Sequence, residues 1–316
     1  IRFGLGGERG QTTGGEARTV AISGHLDTVF PDDMDVTVIQ RGDTLFAPGI
    51  GDDTRGLVSV LTVLRALEGA GIETQANVRL IGVVGEEGVG DLRGMKYLFR
   101  EKGDPIHAWI DVDGTGLGSI VNKGLGSHRF RATFRGPGGH SWGAFGLANP
   151  AHALGRAIRY FQDVADTLTR SGPRTSYNVG RLGGGTSVNS IPFEAQMEVD
   201  MRSESEESLG RIDAAFRTAM ARALTEENDL RRDGPELELE LDQIGDRPSG
   251  ELSDTHPLVA RAQEVMRIFG SEPRLRRSST DSNIPISLGI PAVTIGSGGI
   301  GGGAHSPGEW WINRDG

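Results

Sequence analysis

Residues 19–28, Thr19-Val20-Ala21-Ile22-Ser23-Gly24-His25-Leu26-Asp27-Thr28, carry a strand signal and a chemical signal in one short run. Thr19 to Ser23 is β-branched and apolar and closes on Gly24, the mark of a buried strand. Metal-ligand residue types, His25 and Asp27, follow at once. Strands buried on both faces belong to parallel sheets covered by helices. The next segments fit. Residues 56–68 (GLVSVLTVLRALE) read as a buried helix closed by Gly69 and Gly71. Residues 78–84 (VRLIGVV) and 108–112 (AWIDV) read as further strands. Between them a helix is expected from Asp91, as its cap, to Arg100, with Gly103 as its stop. Strand and helix in alternation predict crossovers and a largely parallel sheet.

Near residue 127 the pattern changes. Residues 129–135 (RFRATFR) alternate polar and apolar, as in a strand wet on one face. Asn149-Pro150 reads as a cap followed by proline at the first helical position, and Leu154, Ile158, Phe161, Ala165 and Leu168 form the buried stripe behind it. Alternating strands follow at 175–182 and 193–202, then an amphipathic helix at 205–224, then a strand at 236–242. The order β-α-β-β-α-β is that of a ferredoxin-like sandwich. After residue 247 the first pattern returns, with a helix at 254–269 and a buried strand at 291–295. The expected fold is α/β: a first domain with a mostly parallel mixed sheet (1–126 and 247–316), interrupted by a ferredoxin-like domain at 127–246.

Composition narrows the chemistry. The chain has 316 residues, no cysteine and a net charge of −10. Disulfides, thiol catalysis and thiolate-bound zinc are excluded, leaving His, Asp and Glu as strong metal ligands. An acidic chain is a poor partner for nucleic acid. No stretch approaches ~18 apolar residues and no apolar targeting segment follows Ile1, so a cytoplasmic protein that spans no membrane is expected. The 49 glycines, about twice the usual ~7%, are not periodic, which excludes collagen.

In open α/β sheets, sites form beyond the carboxyl ends of the strands. Those ends carry Gly24-His25-Leu26-Asp27, Gly85-Glu86-Glu87-Gly88, Asp111-Val112-Asp113-Gly114 and a glycine run ending at Ala304-His305; Gly51-Asp52-Asp53 opens the first helix. A lone histidine is usually a surface or core residue, and aspartate after a strand is often a turn former. Convergence of all these segments on one rim weakens both readings, because crowded carboxylates repel without a cation between them. His25, Asp52, one of Glu86 and Glu87, one of Asp111 and Asp113, and His305 are too many ligands for one tetrahedral zinc. They suit two zincs sharing a carboxylate. Asp27, two residues from His25, is placed to orient its imidazole.

These segments resemble the zinc-dependent exopeptidase and deacylase family of peptidase T, glutamate carboxypeptidase, acetylornithine deacetylase and succinyl-diaminopimelate desuccinylase, closest to its peptidase T-like branch. The resemblance covers nearly the whole chain, the inserted domain included. It implies two divalent metal ions, zinc, with His25 and Asp113 on one, Glu87 and His305 on the other, and Asp52 bridging. It implies that Asp27 orients His25, and that Glu86 is the general base that takes a proton from water and returns it to the leaving amine. A cis peptide at Asp52–Asp53 is implied too. The implied substrate is a small peptide, cleaved as by a di- or tripeptide aminopeptidase; the alternative is an N-acyl amino acid deacylase or a glutamate carboxypeptidase-like hydrolase.

In the inserted domain the resemblance assigns substrate contacts to His140, Asn189 and Arg202, and homodimerisation to the domain itself. The family often has Lys after the aspartate pair, where this chain has Thr54-Arg55. The family's helices before the first strand and after the last histidine are not seen, so native chain is expected to be missing at both ends. Gly139-His140-Ser141-Trp142-Gly143 matches the serine-hydrolase elbow G-x-S-x-G, but lacks the buried strand before it and the helix directly after it.

Overall fold

Thr19–His25 and Asn77–Val83 pair in parallel with His25 opposite Val83, while Ser23 stands opposite Asp111 of Ala108–Val112. Parallel strands in that register end level, so the segments that follow them leave from one rim. Asp113 comes level with His25. Ala292–Ile295 pairs in parallel on the far side of Ala108–Val112, Ile295 opposite Val112. These strands form the middle of an eight-stranded mixed sheet that continues through Ser119–Gly124. Arg2–Gly4 and Gly250–Glu251 are antiparallel at its two ends, and Arg274–Ser278 runs parallel to Ser119–Gly124. The structure, a computed structural model, describes residues 2–4, 18–100, 103, 105–314 and 316. The stretch read as free of a targeting segment lies mostly outside them.

Helices cover both faces of this sheet. Successive strand residues point opposite ways, and the neighbours Leu80 and Ile81 show it. Leu80 packs with Val60 of the helix Arg55–Gly69, whereas Ile81 packs with Leu92, Met95, Ile284 and Ile286. The helix Pro257–Ile268 packs through Val259 and Met266 on Ile120 and Val293.

A second, antiparallel sheet in the same unit runs Ile300–Gly302, Trp310–Ile312, Thr44–Phe46, Ile39–Arg41. It joins segments far apart in sequence. It sets the turn that carries His305 against the segment leading to Asp52, around Ala47, Ile50 and Trp311.

The chain forms two compact units, one comprising the described residues up to Gly124 with Gly250–Gly316, the other Leu125–Ser249. In the second, the strands lie in the order Thr175–Gly184, Glu194–Ser203, Gly126–Arg135, Glu238–Arg247, all antiparallel. With the helices Pro150–Leu168 and Glu206–Leu230 this is the ferredoxin-like sandwich. Buried and half-buried residues alternate along Glu194–Ser203, one face meeting the helices. Asn149 caps the first helix by accepting the Ala151 N–H at 2.9 Å, and Ser205 caps the second by accepting the Ser208 N–H at 3.3 Å. Phe216 lies 5.2 Å from Phe130 and 5.4 Å from Phe161, ring centre to ring centre.

Three local expectations are corrected. The helix expected from Asp91 runs only Arg93–Leu98. Asp91 and Leu92 are left-handed, φ 52° and 55°, because the Leu92 N–H is tied to the Gly85 carbonyl and the Gly94 N–H to that of Val84. Asp91 pairs with Lys96 instead of capping. The helix expected from 254 begins at Pro257, capped by the His256 ring, which accepts the Leu258 N–H. The strand expected at 236–242 runs Glu238–Arg247, past a register shift between Gln243 and Gly245.

Phe216→Ala should destabilise the ferredoxin-like unit by about 3–5 kcal/mol, from lost burial and the cavity left behind. Urea unfolding followed by far-UV circular dichroism checks this.

Candidate metal centre

The level strand ends bring His25, Asp52, Glu86, Glu87, Asp113 and His305 together. Ligand atoms of His25, Asp52 and Asp113 lie within 4.8 Å of one another, as do those of Asp52, Glu87 and His305, and those of His25, Glu86 and Glu87. Asp52 is common to the first two groups. Its Oδ1 lies 2.9 Å from His25 Nε2, and its Oδ2 3.2 Å from His305 Nε2. His305 Nε2 is also 2.9 Å from Glu87 Oε1, and Asp113 Oδ1 lies 3.8 Å from His25 Nε2. His305 is left-handed, φ 62°, and the Asp52–Asp53 peptide is cis.

Asp27 works differently from the spacing argument. The group that accepts from His25 Nδ1, at 2.8 Å, is the main-chain carbonyl of Asp27 and not its carboxylate. That contact still fixes the ring, with the proton on Nδ1 and Nε2 turned to the cluster. The carboxylate reaches across the rim. Its Oδ1 accepts the N–H groups of Gly85 at 2.7 Å and Glu86 at 3.2 Å, and its Oδ2 that of Glu87 at 2.9 Å. Asp27 therefore holds both the imidazole and the loop bearing the two glutamates.

Glu309 does the equivalent for Asp52. It accepts the N–H groups of Gly49, Gly51 and Asp52 at 2.8, 2.7 and 2.9 Å. Sequence pattern does not single it out; the available signal is an acid next to Trp310-Trp311.

Of the alternatives Asp111 and Asp113, Asp111 is turned away into the protein. Its Oδ1 accepts from the Ser23 hydroxyl at 2.6 Å and its Oδ2 from the Thr294 hydroxyl at 3.2 Å. Thr294 is bonded in turn to Thr280 and Ser282. Asp281, between those two, is fully buried with no hydrogen-bond partner on either oxygen. Asp53 is buried as well and accepts the His25 N–H at 3.0 Å. Gly56 makes this possible, since a Cβ there would fall 2.0 Å from Asp53 Oδ1 and 2.4 Å from the Val112 carbonyl.

The electrostatics follow from burial. Desolvation opposes charge on His25, but the hydrogen bond to Asp52 and the charges of Asp113, Asp53 and Glu86 outweigh it and hold the imidazole up at about 12. Burial, then the charge of Asp113, raises Asp53 to about 10. Burial, then Asp111, raises Asp113 to about 7. Burial raises Asp281 well above the carboxylate range, with Asp111 and Glu86 adding to it. His305 is also raised, Glu87 and Asp52 outweighing its partial burial. Imidazole nitrogens and carboxylate oxygens with no thiolate form a donor set that fits zinc and related divalent ions.

His140, Asn189 and Arg202 all lie in the ferredoxin-like unit. Ser190 pairs with His140, and the Asn189 carbonyl accepts the Ser141 N–H at 2.9 Å, so His140 and Asn189 are neighbours. His140 Nδ1 accepts the N–H groups of Trp142 and Gly143, both at 3.2 Å, which leaves its proton on Nε2. Arg202 Nε donates to Asp200 at 2.7 Å.

The pattern of peptidase family M20/M25/M40 matches residues 21–313. The uncharacterized protein YqjE of Bacillus subtilis (strain 168) is 25% identical over 292 residues, 89% of this chain and 73% of its own. Among solved structures, the aminopeptidase PepT from Bacillus cereus superposes with a TM-score of 0.71 at 22% identity, over 96% of this chain and 78% of that one. A tripeptidase from Staphylococcus aureus gives 0.72 at 23% identity, over 93% and 76%. The di-peptidase Dug1p from Saccharomyces cerevisiae gives 0.71 at 16%, over 98% and 78%. These likenesses show a shared fold.

His25 Nε2 and His305 Nε2 each lie 2.9 Å from a carboxylate oxygen, and each must be unprotonated to bind a metal ion. Metal ions compete with protons at these nitrogens and at the raised Asp113 carboxyl, so protons should leave on metal uptake and affinity should rise with pH. Titration calorimetry with zinc, in buffers of different ionisation enthalpy near pH 7, measures this; uptake without proton release contradicts it.

Proposed function

The chain belongs to peptidase family M20/M25/M40, and from that premise we propose that it is a di-zinc amide hydrolase acting as a di- or tripeptide aminopeptidase. The observation that carries the reading is Asp52, whose two carboxylate oxygens face two different histidines, each histidine in its own group of ligands. His25 and Asp113 would hold one ion, Glu87 and His305 the other, and Asp52 both. When bound, the pair supplies Lewis acidity to the substrate carbonyl and lowers the pKa of a water molecule.

Glu86 moves the proton. It lies in the His25 group, is 7% exposed, and its main-chain N–H is held by Asp27. Its carboxylate takes a proton from the attacking water and passes it to the nitrogen of the breaking amide bond, which departs as an amine. His140 supplies a donor. With Nδ1 committed as an acceptor, its Nε2–H would serve the oxyanion that forms on the substrate carbonyl in the site of a second copy of the chain. Asn189 contacts the substrate backbone, and Arg202 pairs with the substrate carboxylate beside its bond to Asp200. A second copy of the chain is the expected partner, docking through the ferredoxin-like unit. Among the described residues no helix is long and apolar enough to cross a membrane.

Glu86→Ala should keep metal binding and lose roughly 10²–10⁴-fold in kcat; full activity would remove Glu86 as the base. Against a panel of free tripeptides, N-acyl amino acids and N-blocked dipeptides, cleavage of the free tripeptides is expected. Cleavage of the blocked substrates alone would replace the aminopeptidase reading with a deacylase or carboxypeptidase.

A further inference from the structure

Glu309 shares a loop with His305 yet directs its side chain to a segment more than half the chain away in sequence. Its carboxylate is 2% exposed. Oε2 accepts the Gly49 N–H, and Oε1 accepts those of Gly51 and Asp52. Its own carbonyl accepts the Ala47 N–H at 3.1 Å, so main chain and side chain both grip the segment that leads into Asp52. Bonds from N–H groups to a buried carboxylate are charge-assisted and stronger than neutral ones. Gly51 allows the close approach, since a Cβ there would lie 3.0 Å from Glu309 Oε1.

We infer that Glu309 is a positioning residue for the shared carboxylate: it fixes the backbone of Asp52 so that one oxygen faces each histidine, and ties that placement to the arrival of His305. The inference rests on the di-metal reading. A bridging carboxylate tolerates little error, because a rotation that improves one bond lengthens the other. His305 and Glu309 come from one turn, so the ligand that closes the second position and the residue that sets the bridge are delivered together. Metal affinity at the second position therefore depends on the Glu309 carboxylate, carried on the turn between Ile300–Gly302 and Trp310–Ile312, as well as on His305 itself.

The test uses the full chain titrated with Co²⁺, followed by visible absorption, metal stoichiometry and kinetics. Glu309→Gln keeps the shape but replaces one acceptor oxygen with an amide NH₂ facing N–H donors. It should bind the first ion as the wild type does and the second about 10–100-fold more weakly. kcat should fall at unchanged KM and recover with added metal. Trp311→Phe serves as a structural control. It removes the Trp311 Nε1–H bond to the Gly298 carbonyl in the same hairpin, and should lower the melting temperature without changing metal affinity. Should E309Q fail to fold, Glu309→Asp keeps the charge but shortens the reach, and is expected to give the same loss at the second position. Wild-type affinity for both ions in the folded Glu309 variant, or an equal loss in W311F, overturns the inference. If the wild type itself binds fewer than two ions, the di-metal reading fails and takes the inference with it.

Discussion

Carboxyl groups crowded around two imidazoles, one buried at His25 and one exposed at His305, are the constraint on which this structure turns. Asp52, Asp53, Glu86, Glu87, Asp111, Asp113 and Asp281 all contribute, and burial raises Asp53, Asp111, Asp113 and Asp281 alike. Like charges at such spacing cannot all ionise without compensation. Placing Asp52 between the histidines and raising the His25 imidazole offsets part of that repulsion. A pair of divalent cations answers the same need more completely, which gives the physical case for a metal centre here.

Such a cluster cannot hold itself together, because its members repel. The hydrogen bonds that define it run largely from carboxylate to main chain. Asp27 grips the amides of residues 85–87, and Glu309 grips those of 49, 51 and 52. Both spend their negative charge on N–H groups, which need no counter-ion, and so add order without adding repulsion. Glycine serves the same end. With a Cβ at Gly56 or Gly24 the Asp53 carboxylate would have no room beneath the His25 backbone. Further back, the register of the parallel strands sets His25, Val83 and Asp113 level, so rigid secondary structure defines the rim before any side chain does.

Much of this was legible in the sequence, for definable reasons. Buried strands such as Thr19–His25 announce themselves by local composition, and alternation gave the strands and helices of the ferredoxin-like sandwich. Strand-end chemistry follows from topology, so the segments that converge could be named from their positions, with Glu86 or Glu87 and Asp111 or Asp113 left open there. What escaped depends on distant pairing. Ser119–Gly124 and the small sheet joining residues 39–46 to 300–312 have no strong local pattern. Glu309 and Asp281 look like ordinary loop acids until the fold buries them. Asp91 was misread because two hydrogen bonds back to the strand end override its preference as a cap. At Asp27, spacing places a residue beside His25 but does not decide whether its carbonyl or its carboxylate turns to the ring.

The central claim is that two metal ions share Asp52. Anomalous X-ray diffraction at the zinc edge, from crystals of the chain grown with zinc, tests it most directly. The account predicts two anomalous peaks on either side of the Asp52 carboxylate, one beside His25 and Asp113, the other beside Glu87 and His305. A single peak, or peaks that leave Asp52 outside their coordination, would contradict it.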